Sequence, residues 1–155
     1  MHDTNLLQLI TDDFAPTQQL LELLQTESLA LHGRDMRLLE DILAQKQALI
    51  VLLEQHGRKR SEILVSLNLP ANRQGLEQLA SQSSVGAQLL AQSDALTDLL
   101  AQCQAANLKN GQSIVMQQAA TATQLKILTG AEPPALYNAS GSFSTLVKPR
   151  ALSQA

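Results

Sequence analysis

The feature that most limits how this chain can fold is a stripe of mostly apolar residues that recurs every three or four positions over a very long segment. The segment spans residues 72–128. Its spacing places the stripe along one face of an α-helix. A continuous helix over this segment would be about 80 Å long. The stripe consists of Leu89, Leu96, Leu100, Cys103, Asn107, Asn110, Ile114, Thr121, Leu125 and Leu128.

Two shorter segments before it carry the same helical period. The first spans residues 4–32 and contains Pro16, where we expect a kink because the stripe continues in phase on both sides. The second spans residues 35–66, with Asp35 as the expected N-cap. Only residues 32–34 link the two segments, so the helices should fold back on each other as an antiparallel hairpin.

The hairpin is only about half as long as the third segment, which leaves two arrangements open. In one, the third helix is unbroken and its stripe from about Cys103 onward has no partner within the chain. In the other, the helix breaks near Ser84, beside the polar patch 81–84 and Gly86, and the chain closes into a compact four-helix bundle. We expect an all-α fold: an antiparallel helical hairpin packed on a long third helix, as a three-helix, coiled-coil-like bundle over residues 1–130.

The composition supports helices and sets the end of the chain apart. Leu, Ala and Gln together occupy 70 of the 155 positions, and all three are good helix formers. Residues 131–155 lose the helical period and hold three of the five prolines, so we expect a flexible tail there. This tail nevertheless contains Tyr137 and Phe143, two of only three aromatic residues, which favours a docking role for it.

Charge and sequence patterning exclude several classes of protein. The net charge is −3, which argues against nucleic-acid binding because such proteins carry a basic stripe. The single cysteine fits a reducing compartment. We expect neither a secretory signal nor membrane insertion, because residues 1–5 lack a basic start and no apolar run reaches about 18 residues. These features predict a cytoplasmic protein.

No arrangement of side chains in the sequence indicates catalysis, a metal site or a cofactor. The spacings of common zinc and di-iron motifs are missing, as are glycine-rich phosphate loops. Cys103 lies among leucines and is expected to be a small core residue, since a nucleophile needs a neighbouring base. The basic cluster 58–60 is expected to form a solvated helix face. We therefore predict that the protein is not an enzyme.

Two segments depart from a plain helical pattern. Residues 107–114 read Asn-Leu-Lys-Asn-Gly-Gln-Ser-Ile, in which a glycine and two asparagines interrupt a long helix at a cost of up to about 1 kcal/mol for the glycine. Residues 133–141 read Pro-Pro-Ala-Leu-Tyr-Asn-Ala-Ser-Gly, a turn-like motif within the tail. Taken singly, the first segment is also consistent with a local helix break and the second with an unstructured tail.

In this order and spacing, the two segments resemble the FlgN family of flagellar type III export chaperones. Residues 107–111 with Ile114 resemble the family's Asn-Gly signature, and residues 136–141 resemble its Leu-Tyr-x-x-x-Gly motif. The weaker patterns Leu24-x-x-Glu27-x-x-Ala30 and Leu39-x-x-Ile42-Leu43-x-x-Lys46 are similar to the family's first two helices.

The resemblance implies a function, partners and sites. It implies that the chain binds the disordered termini of flagellar hook–filament junction (hook-associated) proteins in the cytosol, prevents their premature assembly, and delivers them to the cytoplasmic domain of the export gate. The implied cargo-binding residues are Asn107, Asn110, Gly111, Ile114, Val115, Gln118, Leu125 and Leu128. The residues implied in docking to the gate are Leu136, Tyr137 and Gly141.

A second hypothesis uses the same apolar stripe differently. A structural helical scaffold could self-associate through it, as a homodimer for example, without any role in export. Such a scaffold would have no need of Leu136 and Tyr137.

Overall fold

A computed structural model describes residues 1–129 as five α-helices. No strand occurs within this range, so the expected all-α fold is confirmed. The tail expected at residues 131–155 lies outside the described residues. The helices are α1 (His2–Asp12), α2 (Phe14–Gly33), α3 (Met36–Ser66), α4 (Arg73–Ser81) and α5 (Gly86–Thr129).

The first predicted helix is divided into α1 and α2 at Asp13. Pro16 has no amide hydrogen to donate to the carbonyl four residues earlier, and the helix is interrupted within that turn. The backbone of Asp13 keeps right-handed helical angles (φ −82°, ψ −13°), and the apolar stripe continues through Leu20 and Leu24. The expected kink is therefore present, three residues before the proline.

A buried carboxylate lies at this kink. Asp13 is 1% exposed and pairs with the Nδ1 atom of His56 and with the guanidinium of Arg60, both on α3. The expectation that cluster 58–60 forms a solvated face is therefore wrong for Arg60, which is buried. The positive charge of Arg60 is compensated by the carboxylate of Asp13, which lies at the junction between α1 and α2.

The antiparallel hairpin of α2 and α3 is confirmed. The main chain reverses through Arg34, whose φ of 53° is left-handed, as is common at helix C-termini. Asp35 then caps α3 as expected, because its carboxylate accepts the backbone amide of Leu38 at 3.1 Å.

The third predicted segment is broken at the polar patch, as the second of the two open arrangements required. Asn72 caps α4 by accepting the amide of Gly75 at 3.1 Å, and α4 ends at Ser81. The backbone of Gly86, at the start of α5, then passes so close to α4 that an added Cβ would lie 1.9 Å from the carbonyl oxygen of Ala80. Glycine at this position lets α4 fold back against α5.

The core is built mainly from leucines. The α2 and α5 helices share the largest interface, α3 packs mainly on α2, and α1 and α4 cover the first half of α5. Cys103 is fully buried among the leucines, as expected, and burial raises the pKa of its thiol to about 11. The principal core side chains are Leu6, Ile10, Leu20, Leu24, Leu53, Leu64, Leu76, Leu89, Leu96, Leu100 and Cys103.

Candidate functional site

The site that the sequence indicates lies on the second half of α5, whose position is set by α2. The two helices run parallel, and three α5 side chains donate hydrogen bonds to α2 backbone carbonyls. Cys103 Sγ donates to Thr17 at 3.5 Å, Asn110 Nδ2 to Leu24 at 2.8 Å, and Gln117 Nε2 to Leu31 at 2.7 Å. We call Cys103, Asn110 and Gln117 the donor ladder. Its members are seven residues apart, and each lies 86 positions after its acceptor.

A polar cluster joins the middle of the ladder to α3. Glu27 is 7% exposed and accepts Lys46 Nζ at 2.9 Å and Asn110 Nδ2 at 2.8 Å. Lys46 also donates to Asn107 Oδ1 at 3.2 Å. A buried carboxylate with an ion-pair partner and an amide donor is satisfied, so this cluster fixes how α2, α3 and α5 are positioned relative to one another.

Two of the expected cargo-binding residues thus belong to the interior of the bundle. Asn110 is 2% exposed, and its side-chain amide donates hydrogen bonds to the Leu24 carbonyl and the Glu27 carboxylate, both on α2. Asn107 is half-buried beside Lys46. Of the two open arrangements, the one that leaves the stripe uncovered from about Cys103 onward is wrong for this part of α5, because α2 covers it as far as Gln117.

Beyond that point α5 extends past the hairpin. A constant offset of 86 places Gly33, the last residue of α2, level with residue 119. Residues 120–129, which we call the overhang, therefore project by about 15 Å. Every residue from 120 to 128 is exposed except Ala122, which is half-buried. The end of the apolar stripe is therefore not covered by α2, although this uncovered part is shorter than the predicted helix lengths suggested.

The overhang is apolar or neutral on nearly all of its faces. Leu128 is 81% exposed, Ile127 77% and Leu125 37%. Lys126 is the only charged residue in the sequence from 110 to 129, whereas α3 carries nine charged residues. A helix without a charged face is normally covered by other protein. Exposed apolar surface of this kind marks an interaction site.

The remaining expected cargo-binding residues lie between the polar cluster and the overhang. Val115 is 50% exposed, whereas Gly111, Ile114 and Gln118 are half-buried. The side-chain oxygen of Gln118 is buried and has no hydrogen-bond partner. The structure thus brings part of the expected set, with Leu125 and Leu128, to one accessible end of α5. The expected gate-docking residues Leu136, Tyr137 and Gly141 lie outside the described residues.

Sequence reasoning missed two exposed residues of this region, Met116 (72%) and Ile127. Both lie off the stripe, so the helical period did not select them. The signal that would have found them is the near absence of charge on every face of the segment 110–129, in which Lys126 is the only charged residue.

The described residues offer no arrangement suited to metal chemistry. Among residues 1–129, no group of three or more His, Cys, Asp and Glu side chains could hold a metal ion. In the same range no helix is both long and apolar enough to cross a membrane.

Comparisons with known proteins agree with the helical architecture and identify related chains. The family described as FlgN protein matches residues 1–145. The crystal structure of a flagella synthesis protein FlgN from Pseudomonas aeruginosa is similar, with 41% sequence identity and a TM-score of 0.68. The similarity covers 80% of this chain and 95% of that chain. No curated protein matches the chain.

Proposed function

Because the chain belongs to the FlgN family of flagellar export chaperones, we propose that it binds the disordered termini of hook-associated junction proteins in the cytoplasm. Binding would prevent these subunits from assembling prematurely and would allow their delivery to the cytoplasmic domain of the flagellar export gate. The family is of the chaperone type and is not enzymatic, in agreement with a helical bundle whose accessible feature is an apolar surface.

The observation that carries this proposal is the overhang. Leu128 and Ile127 are more than three-quarters exposed although they belong to a helix that is otherwise built into the core. An amphipathic helix of a client could bury these side chains against its own apolar face. Disordered termini that become helical on binding are suited to such a surface.

The small size of the overhang fits a chaperone that must release its client. About 15 Å of helix offers contact for two to three helical turns of a partner. Such an area is small compared with a permanent interface, which buries about 2,000 Å² or more. We propose Ile114, Val115, Gln118, Leu125 and Leu128 as contact residues and add Met116 and Ile127, whereas Asn107 and Asn110 support the bundle.

We also propose that the segment containing Leu136, Tyr137 and Gly141 docks to the export gate. It begins seven residues after the end of α5, so client and gate would be bound by the same end of the chain. Tethering two binding events in this way raises the effective concentration of the second partner.

The cargo surface can be tested with one matched pair of variants. Leu128→Ser removes an exposed leucine of the overhang, and Leu29→Ser removes a leucine of similar exposure (75%) on α2. Burial of a leucine contributes about 1.5–3 kcal/mol, so the first variant should bind a junction-protein terminus about 10- to 100-fold more weakly. The second should bind as the unchanged protein does, in titrations with a fluorescently labelled terminal peptide.

Two outcomes of this titration would contradict the cargo proposal. Equal affinities of both variants would mean that the overhang is not the cargo surface. Self-association of the unchanged protein that Leu128→Ser abolishes, without binding of any peptide, would favour the self-associating scaffold instead.

The gate-docking proposal requires a separate variant. Tyr137→Ala should weaken association with the purified cytoplasmic domain of the gate and leave the affinity for a junction-protein terminus unchanged. Loss of cargo binding in this variant would show that the two roles are not divided between the overhang and the tail as we propose.

A further inference from the structure

The donor ladder of α5 continues into the overhang. The next position in its seven-residue series after Cys103, Asn110 and Gln117 is Gln124. Gln124 is exposed and carries the same amide donor as Gln117. The offset of 86 would place its acceptor at position 38, which is five residues beyond the end of α2 at Gly33. The series of side-chain donors on α5 therefore continues beyond the last carbonyl that α2 can offer.

From this continuity we infer that the overhang binds a client helix parallel to α5, in line with α2, and that Gln124 donates a hydrogen bond to a backbone carbonyl of that helix. A helical carbonyl oxygen has two lone pairs and can accept a side-chain donor in addition to its helical amide. Asn110 and Gln117 use α2 carbonyls in this way. The inference rests on the proposed function and specifies how its client is held.

The parallel direction follows from the geometry of helices. Side chains of an α-helix lean towards its N-terminus, whereas its carbonyl groups point towards its C-terminus. In a parallel pair, the donor side chains of one helix and the carbonyl groups of the other therefore point towards each other. In an antiparallel pair, the carbonyl groups of the partner point in the same direction as the donor side chains, so the carbonyl oxygens are not directed at the donors.

The client surface is defined by what lies around Gln124. Leu128, four residues later, and Thr121, three residues earlier, flank it on the same face, and Leu125 lies at the edge of that face. A fitting client helix presents an uncharged, apolar face about three turns long, with one backbone carbonyl level with Gln124. A backbone acceptor makes the hydrogen bond independent of the client's sequence, so several different termini can use the same position.

The hydrogen bond can be tested with a matched pair of glutamine substitutions in the full chain. Gln124→Glu removes the donor with little change of shape, and Gln112→Glu makes the same change at an exposed residue on the opposite face of α5. The probe is a synthetic helical terminal segment of a junction protein from the same bacterium. We expect Gln124→Glu to weaken binding about tenfold, as the loss of one hydrogen bond and the added carboxylate imply. Gln112→Glu should leave it unchanged.

The direction can be measured by pulsed electron paramagnetic resonance. A nitroxide on Met36→Cys marks the hairpin end of the bundle, because Met36 begins α3 and is 67% exposed. The native Cys103 should not react with the label because it is fully buried. A second nitroxide is placed at either end of the peptide. Parallel docking predicts that the N-terminal label lies nearer to position 36. For a 12-residue helix the two distances should differ by up to about 18 Å.

Each other result would overturn the inference. The reverse order of distances would mean antiparallel docking. Unchanged affinity of Gln124→Glu, with binding still lost in Leu128→Ser, would mean that the overhang binds clients without the hydrogen bond, and the proposed function would stand. If Gln124→Glu binds the peptide more tightly than the unchanged protein does, the substitution has weakened a competing occupant of the overhang, which would be the chain's own segment 130–155. Self-association abolished by Gln124→Glu alone would identify a second copy. If the unchanged protein binds no peptide, both proposals are wrong.

Discussion

The two parts of α5 carry the same kind of stripe and have opposite surroundings. From Leu89 to Gln117 the stripe is covered by other helices, and Leu89 and Leu96 are almost fully buried. From residue 120 onward the stripe continues in phase, yet Leu128 is 81% exposed. The residue types do not account for this difference. The end of α2 at Gly33 does, because the hairpin is shorter than the helix that packs against it.

Two glutamines show the same contrast. Gln117 and Gln124 occupy equivalent positions seven residues apart, but only Gln117 lies level with a carbonyl of α2. The glutamine amide that stabilises the bundle at position 117 is thus exposed to solvent two helical turns later, at position 124. A binding surface formed in this way needs no special residues, only a helix longer than its partners.

The largest expected effect is a difference in how much substitutions in the covered part and in the overhang of α5 reduce the free energy of unfolding. Leu89→Ala should reduce the free energy of unfolding by about 2–5 kcal/mol, because it removes a fully buried side chain from the core. Leu128→Ala should change it by less than about 0.5 kcal/mol, since the side chain is exposed. Urea denaturation of both variants measures this difference. Similar losses would mean that the overhang is packed as tightly as the covered part.

A second comparison tests the donor ladder. Asn110→Ala should cost about 2 kcal/mol, because it removes donors to a carbonyl oxygen and to the buried carboxylate of Glu27. Gln124→Ala should have almost no effect on the stability of the free protein, as its side chain is exposed. If both substitutions were neutral, the ladder would not hold α5 on α2.

A third comparison concerns the point where the covered part of α5 begins. Gly86→Ala should destabilise the protein by about 1–3 kcal/mol, since the new Cβ would overlap the carbonyl oxygen of Ala80. Gly33→Ala is the control, because a Cβ there meets nothing within 4 Å. Thermal unfolding of both variants should show a lower midpoint for Gly86→Ala alone. A normal midpoint for this variant would contradict the close approach of α4 and α5.

The smallest expected effect depends on pH. The Ser83 hydroxyl, with the N-terminal amino group and the Thr4 amide, holds the pKa of Asp3 below its ordinary value. A lowered pKa in the folded state means that the ionised form is stabilised. This contribution is present above about pH 4, the ordinary value, and is lost as the pH falls towards the folded value. Asp3→Asn should therefore be slightly destabilising at pH 7, and the difference from the unchanged protein should shrink steadily as the pH is lowered below about 4. A difference that grows in acid would contradict this assignment.

Features encoded by neighbouring residues could be predicted from the sequence. The cap at Asp35 and the reversal at residues 32–34 depend on adjacent residues and are confirmed. The burial of Cys103 followed from its place in the stripe. The break near Ser84 was one of two open arrangements, because a polar patch weakens a helix without determining whether it breaks.

The remaining features depend on residues far apart in the chain. The burial of Arg60 requires Asp13, which lies 47 positions earlier. The family resemblance implied Asn110 as a cargo-binding residue, and no periodic pattern shows that Glu27 and the Leu24 carbonyl lie opposite it. The register of α5 on α2 decides which residues are covered, and the helical stripe alone is compatible with several registers that differ by seven residues.

The most direct test of the account is amide hydrogen exchange along α5, with and without a junction-protein terminal peptide. In the free protein we expect strong protection from residue 89 to residue 117 and weak protection over residues 120–128, because exposed helix ends open locally. Added peptide should protect residues 120–128 and leave the first half of α5 unchanged. Strong protection of the overhang in the free protein, or protection by the peptide only elsewhere, would contradict the claim that the overhang is the client surface.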